Sequence, residues 1–397
     1  MADSNRIRLS FAEETTFGVK RTGTVYEELR ILSESLKSDL TNASSDEIHS
    51  RRDIRGLNKT DQGVSGSVNC NLYSRYGFGI NRLIGHSLMS GDVWTDSNSL
   101  VTVQTDESTL IAPGGYPKRY SHGGNDFDND PVVGQWIYIT GAVNAASNGF
   151  HKVAAVDISS DWLEVEEAIG ANETAVLTIK MLPQVKNGST LDSMTFQREY
   201  TDLGTEVAFL TGCVINGMSI DASGTDTVKA NFDVLGLTET SASSEEALLY
   251  TAGTNPAMTA TDGVQFVREN TADITTTSFQ FQASNNLRKK YLLGTLGPSD
   301  FNEGDFEVTG SMQMYFETAT AYDKFLNQTV TSLSIGISGE ESTPGGTYIF
   351  DFPKVKFTDA QRVAGGRNQD IIADISWQAL YDTTEECTMK IAHYHEQ

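Results

Sequence analysis

One phrase occurs twice in this chain of 397 residues, and a fold must accommodate both copies. Gly63 to Leu72 contains Val64-Ser65-Gly66-Ser67-Val68, and Glu307 to Phe316 contains Val308-Thr309-Gly310-Ser311-Met312, two β-type runs with glycine at the same place. A short segment with apolar residues at helical spacing follows each copy. It carries Ile80, Leu83, Ile84 and Leu88 in the first half and Tyr322, Phe325 and Leu326 in the second, so each helix lays one apolar stripe on a sheet. Upstream of each copy lies a strand-like run, Leu29 to Leu36 and Ser278 to Leu287. A long polar loop joins each run to its phrase, Lys37 to Gln62 and Arg288 to Phe306. Downstream, Gly212 to Ile220 with Val228 to Leu235, and Phe350 to Phe357 with Ile371 to Leu380, read as further strand pairs around Gly- and Asp-bearing turns. A recurrence of elements in one order is the signature of a duplicated unit.

Residues 91–184 have no counterpart in the second half and read as an inserted module. Strands are expected at Trp136 to Thr140, Phe150 to Val156, Trp162 to Val165 and Val176 to Lys180, four or five in all, enough for a small barrel or sandwich. The expected organisation is therefore a discontinuous first domain (1–90 and 185–245), the insert (91–184) and a second domain (246–397). The fold class is mainly β.

The length suits two or three domains, and 38% hydrophobic content with few long helical patterns suits a β-rich globular chain. The start, Met1-Ala2-Asp3-Ser4-Asn5, lacks the basic and apolar runs of a signal peptide, so none is expected, and no stretch approaches the ~20 apolar residues of a membrane span. Three scattered cysteines, Cys70, Cys213 and Cys387, argue against a disulfide framework.

A net charge of −24 repels nucleic acid. The two long loops depart from this balance. Arg51, Arg52, Arg55 and Lys59 share the first with acids that include Asp53, and Arg288, Lys289 and Lys290 share the second with Asp300, Glu303 and Asp305. Loops of mixed sign can dock on a neighbouring copy, or can simply be solvated.

Motifs of hydrolases, zinc proteases, nucleotide-binding loops and paired Cys-x-x-Cys sites are absent from the sequence. Asp126-Phe127-Asp128-Asn129-Asp130 resembles the start of a calcium loop but lacks its glycine and closing glutamate. His393 and His395 share one face of a terminal strand, a metal-binding spacing if a third ligand lies near and otherwise two exposed histidines. No catalytic, cofactor or metal residue is assigned.

The order of these features resembles the major tail tube proteins of long-tailed bacteriophages. The resemblance rests on Arg6 to Gly18 with its Glu14-Thr15-Thr16-Phe17-Gly18, on Ile31 to Lys37, on the Arg51-Arg52 loop, and on the Val64 to Val68 phrase before a helix. It extends to Gly134-Gln135-Trp136-Ile137, Asn148-Gly149-Phe150 and Phe196 to Asp202. It implies two tandem β-sandwich or half-barrel units, each with a flanking helix, in a structural protein rather than an enzyme. Two units per chain suggest trimers with a pseudo-sixfold axis, stacked head to tail through the loops that hold Arg51, Arg52, Asp53, Arg55, Lys59, Arg288, Lys289 and Lys290. The implied partners are other copies of the chain, a tape measure protein in the bore, tail terminator and distal tail proteins, and double-stranded DNA in transit. The implied location is the virion tail, assembled in the host cytoplasm, with no membrane insertion and no cofactor. An alternative from a different class is a virion adhesion or carbohydrate-binding protein using Trp136, Tyr138 and Trp162 as a sugar platform.

Overall fold

The computed structural model describes residues 6–48, 50, 53–54, 56–74, 79–91, 94, 103–104, 109–111, 118–121, 132–157, 162–170, 173–204, 206–251, 253–315, 320–339, 346–363 and 370–395. The described residues are mainly β, with two α-helices, Ile80–Ser87 and Thr320–Leu326. The chain forms two compact units: residues 1–92, 188–261 and 278–311 in the first, and 93–187, 262–277 and 312–397 in the second.

In the first unit one sheet runs in the order Ala247–Thr251, Thr24–Leu29, Ile7–Glu13, Met194–Tyr200, the start of Val207–Ser223, and Thr238–Ala242. A second sheet runs from Ile31–Glu34 and Lys37–Ser44 through Leu57–Asn71 and Lys229–Gly236 to the end of Val207–Ser223, then Thr276–Ser284. The seventeen-residue strand Val207–Ser223 thus serves both sheets. It changes sheet at Gly212, whose φ of 61° and approach to Leu237, 2.5 Å from where a Cβ would stand, exclude a side chain. The expected helical stripe is fully buried at Ile80, Leu83, Ile84 and Leu88, and the helix packs on this strand.

In the second unit Thr347–Val363, also seventeen residues, divides in the same way. Its start pairs with Thr331–Ser338 and Lys390–Tyr394, its end with Ile372–Ala379, and helix Thr320–Leu326 packs on it. The inserted segment belongs to this unit. It forms an eight-stranded sheet, richer than the four or five strands expected, because short strands such as Thr109–Ile111 and Arg119–Ser121 carry too few residues to show a period. Its core gathers Tyr120, Ile137, Ile139, Val153, Leu163 and Ile179. A second cluster packs insert residues Trp136, Phe150 and Leu182 against Phe266, Ile349 and Tyr394.

The two segments expected as long loops are β-ribbons instead. Lys37–Ser44 pairs antiparallel with Leu57–Asn71, and Arg288–Tyr291 with Pro298–Asn302. Most of Lys37–Ser44 is exposed on both faces. A ribbon that buries almost nothing has no apolar alternation to betray it, and backbone ladder bonds hold it.

Candidate subunit interface

The duplicated phrase occupies the same register position in both halves. Asn69 and Gln313 stand at matching places in the two copies. Asn69 pairs with Asn231 on the next strand, and the Gln313 amide donates to Asp374 on its own next strand at 2.7 Å. The match continues one strand further. Val207–Ser223 has its bulge at Asn216, between Ile215↔Val234 and Gly217↔Asp233, and Thr347–Val363 has its bulge at Thr358, between Phe357↔Trp377 and Asp359↔Ser376. Gly217 to Asp221 therefore correspond to Asp359 to Val363. The phrase glycine Gly66 has φ 151°, and a Cβ there would stand 2.5 Å from the Ser35 carbonyl oxygen, so only glycine lets the neighbouring strand approach.

On its outer side the first long strand is paired with Thr276–Ser284, in the register Gly217↔Ser284, Met218↔Ala283, Ser219↔Gln282 and Ile220↔Phe281. This junction is locked at one end by Asn285, which is 2% exposed. Its backbone N–H donates to the Asn216 carbonyl at 2.7 Å, and its amide donates to the carbonyls of Ser87 at 3.0 Å and Ile215 at 3.1 Å. The Leu287 N–H donates to the Asn216 side chain at 2.8 Å.

Two counterpart edges remain. The outer side of 359–363 has no strand partner among the described residues, and neither has the outer side of Ile31–Leu40, which pairs only inward with Leu57–Asn71. The inward bond of Ser35 N–H to Ser67 fixes the polarity of that strand, so Leu36 directs its backbone groups outward. They are capped by side chains. Leu36 N–H donates to Glu34 Oε2 at 2.9 Å, and Arg198, which pairs with Glu34 at 2.8 Å, donates to the Leu36 carbonyl. An acid and a base thus hold the two bonds that a neighbouring strand would make.

The ribbons carry the residues expected to bridge rings. Arg51, Arg52 and Arg55 lie outside the described residues. Asp53 is exposed, and Lys59 is exposed with its Nζ donating to Gln62 at 2.7 Å. Arg288 donates to the Glu303 carbonyl at 3.0 Å, Lys290 lies 3.9 Å from Asp300, and Lys289 lies beside Gly63. The two ribbons therefore stand side by side, joined where Tyr291 donates to Asp61 at 3.0 Å. The Ser65 hydroxyl, with Lys37 and Lys289 adding to it, holds the Asp39 carboxyl below its ordinary value. The sequence reading missed the apolar residues on these ribbons: Leu40, Ile48, Ile54, Leu57, Leu292 and Leu293 are all more than half exposed. Their only sequence signal is an unalternated leucine or isoleucine inside a polar stretch.

The second unit holds a buried ion cluster. Asp351 accepts from Trp136 Nε1 at 3.0 Å and pairs with Lys152 and Lys390 at 3.2 Å each, and Glu385 pairs with Lys152 at 2.5 Å. Burial pushes the Asp351 carboxyl up, but the two lysines outweigh it and hold the group below the usual carboxylate range. Burial leaves Glu166 raised despite Lys152. Each charge has a partner, as buried charges must. Burial pushes the Cys70 thiol up to about 12 and the Cys387 thiol to about 11, and all three cysteines are free.

The aromatic trio does not form an open platform. Trp136 is 1% exposed, Tyr138 packs on Phe150 and Tyr394, and Trp162 lies under the Arg119 guanidinium at 3.7 Å. His393, expected to be exposed if it bound no metal, is fully buried and stacked on Tyr348 at 4.3 Å, with the Trp94 ring at 6.0 Å, in a strand buried on both faces. Burial and His395 lower its pKa well below the ordinary value. Among the described residues no group of three or more His, Cys, Asp or Glu is placed to hold a metal. Residues 126–130, the partial calcium loop, lie outside the described residues.

A family model described as phage tail tube protein matches residues 4–379. No curated protein matches the sequence.

Proposed function

This chain belongs to the phage tail tube protein family, and from that premise we propose that it builds stacked trimeric rings whose acidic bore conducts DNA during ejection. Membership makes it a structural protein of the virion tail that assembles into a tube. The ring reading rests on one observation: the first long strand is paired on both sides, whereas its counterpart in the second half and the stretch 31–40 each keep one outer edge that is capped or has no strand partner among the described residues.

The internal junction is the template for joining two copies. Transferring its register places Asp359 opposite Asp39, Ala360 opposite Ser38, Gln361 opposite Lys37 and Arg362 opposite Leu36 of the next chain. The incoming strand takes over the bonds that Glu34 and Arg198 make to Leu36. Three chains then supply six quasi-equivalent units, and closure pairs these two edges around the ring.

Rings stack head to tail through the ribbons, with Asp53, Lys59, Arg288, Lys289 and Lys290 as contact residues, together with Arg51, Arg52 and Arg55 of the same sequence stretch. A heterologous contact of this kind does not close and grows a filament. A charge of −24 per chain keeps a phosphate backbone from adhering to the wall. The remaining partners are a tape measure protein in the bore and terminator and distal tail proteins at the ends, in a siphovirus-type tail assembled in the host cytoplasm. The insert forms an outer module of the tube, beside tandem tube domains at 1–90 with 185–245 and at 246–397.

Negative-stain electron microscopy of concentrated protein tests this reading. Hollow rings with threefold symmetry in end-on views are expected. Strict sixfold rings or a permanently monomeric chain would contradict it.

A further inference from the structure

At four positions residues buried at the internal junction or on the helix beside it have counterparts that are exposed. Ala283 is 0% and Asn285 2% exposed, and they correspond to Ser38, which is exposed, and Leu40, which is 55% exposed. The alignment follows from Gln280, which donates to Ser311 where Ser35 meets Ser67, the matching serine of the other phrase copy. It puts Leu36, 3% exposed, in the place of Phe281, also 3% exposed. On the helix side, Ile84 and Leu88 are both 0% exposed, whereas Leu326 and Val330, at the same spacing in the second half, are 59% and 47% exposed.

The chemistry at these positions also differs. The internal junction is closed by the Asn285 amide, which donates to the carbonyls of Ser87, beside Leu88, and of Ile215, beside the Asn216 bulge. At an open edge the corresponding carbonyls belong to Thr329 and Phe357, and the corresponding side chain is leucine. A leucine makes no hydrogen bond, but it can cover apolar side chains, and the residues that match Ile84 and Leu88 in the second half, Leu326 and Val330, are apolar and exposed.

We propose that the junction between copies closes by an apolar clasp, in which Leu40 of one chain seats against Leu326 and Val330 of a second copy, in place of the amide lock of the internal junction. The proposal rests on the ring reading above and adds the residues that close the ring. It also gives the two junction types different specificity. An asparagine facing Leu326 and Val330 leaves its amide unpaired in an apolar seat, and a leucine facing Ser87 and Ile215 leaves two carbonyls unpaired, so neither edge satisfies the other's site.

The test is the threshold concentration for ring formation, read by sedimentation velocity, with thermal melting to check that each variant is folded. Leu40 is exposed in the single chain, so Leu40→Asp is expected to melt like wild type while raising the threshold about tenfold or more. Leu40→Met should stay near wild type. Val330→Asp should fail as Leu40→Asp does, and Leu40→Lys combined with Val330→Asp should recover assembly, which only a direct contact predicts. Normal rings from Leu40→Asp, or no recovery in the charge pair, overturn the clasp and leave the ring reading standing. A wild-type chain that never forms rings overturns the ring reading and the clasp together.

Discussion

The two seventeen-residue strands Val207–Ser223 and Thr347–Val363 are built alike and finished differently. Each changes its strand partners partway along, carries a bulge at the same position and supports a short helix. The first ends inside a sheet, with Lys229–Gly236 on one side and Thr276–Ser284 on the other. The second ends with Ile372–Ala379 on one side and no strand partner among the described residues on the other. A sheet edge costs little while water or a side chain satisfies it, so the same sequence pattern can serve as interior in one copy and as an edge in the other.

Proline exposes this difference most strongly, because it deletes an N–H that one strand uses internally and the other leaves outward. Met218→Pro removes a ladder bond from a central strand and should cost ~3 kcal/mol or more, read as a large drop in melting temperature. Ala360→Pro, at the equivalent position, should leave a folded monomer that forms no rings, as judged by circular dichroism and sedimentation. Equal loss of folding in both variants would break the comparison.

The strands also differ in how their other ends are anchored. Phe209, Leu210 and Cys213 bury the first by apolar contact, whereas the second carries Asp351 into the ion cluster with Lys152 and Lys390. Removing one member of a buried pair strands the others, so Asp351→Ala should cost ~3–5 kcal/mol in denaturant unfolding. A cost below ~1 kcal/mol would mean that the lysines find other partners.

The same carboxylate sets a pH response. Its folded pKa is depressed, so its contribution is present above the unfolded value of about 3.9 and is lost as pH falls through the lower, folded value. Hydrogen exchange below about pH 4 should therefore show residues 347–355 opening before residues 207–213. The reverse order would contradict the assignment.

Asn285→Ala should destabilise the monomer by ~1–3 kcal/mol, since two buried carbonyls lose their donor. Leu40→Ala should change the monomer by less than ~0.5 kcal/mol. The smallest monomer effect expected is for Arg51, Arg52 and Arg55 changed together to Ala, which should shorten tubes in micrographs with no change in melting. Tubes of wild-type length in that variant would remove these residues from the stacking contact.

Much of this architecture is legible in the sequence because burial leaves a period. Ile80, Leu83, Ile84 and Leu88 announce their helix, and Met218, Ile220, Phe232 and Val234 alternate as half-buried strands do. The ribbons were not legible as strands, since Lys37–Ser44 has almost nothing to bury. Nor is the burial of His393, which depends on the Tyr348 and Trp94 rings packed against it rather than on its place near the end of the chain. The proposed interface is legible only in part. Charge directed attention to Lys59 and Arg288 to Lys290, while the edge capped by Glu34 and Arg198 emerges only when residues 164 positions apart meet.

The most direct test of the account is a disulfide across the proposed junction. Lys37 and Gln361 face each other in the transferred register, at a position where neither backbone bonds across the seam, which brings Cβ atoms close. The native cysteines are all buried and free, so they leave the reading clean. Oxidised assemblies of the Lys37→Cys, Gln361→Cys double variant should give a covalent ladder ending at three chains, and mixing the two single variants should give covalent dimers. A ladder that continues past three, or no cross-link between copies, would contradict trimeric closure through these edges.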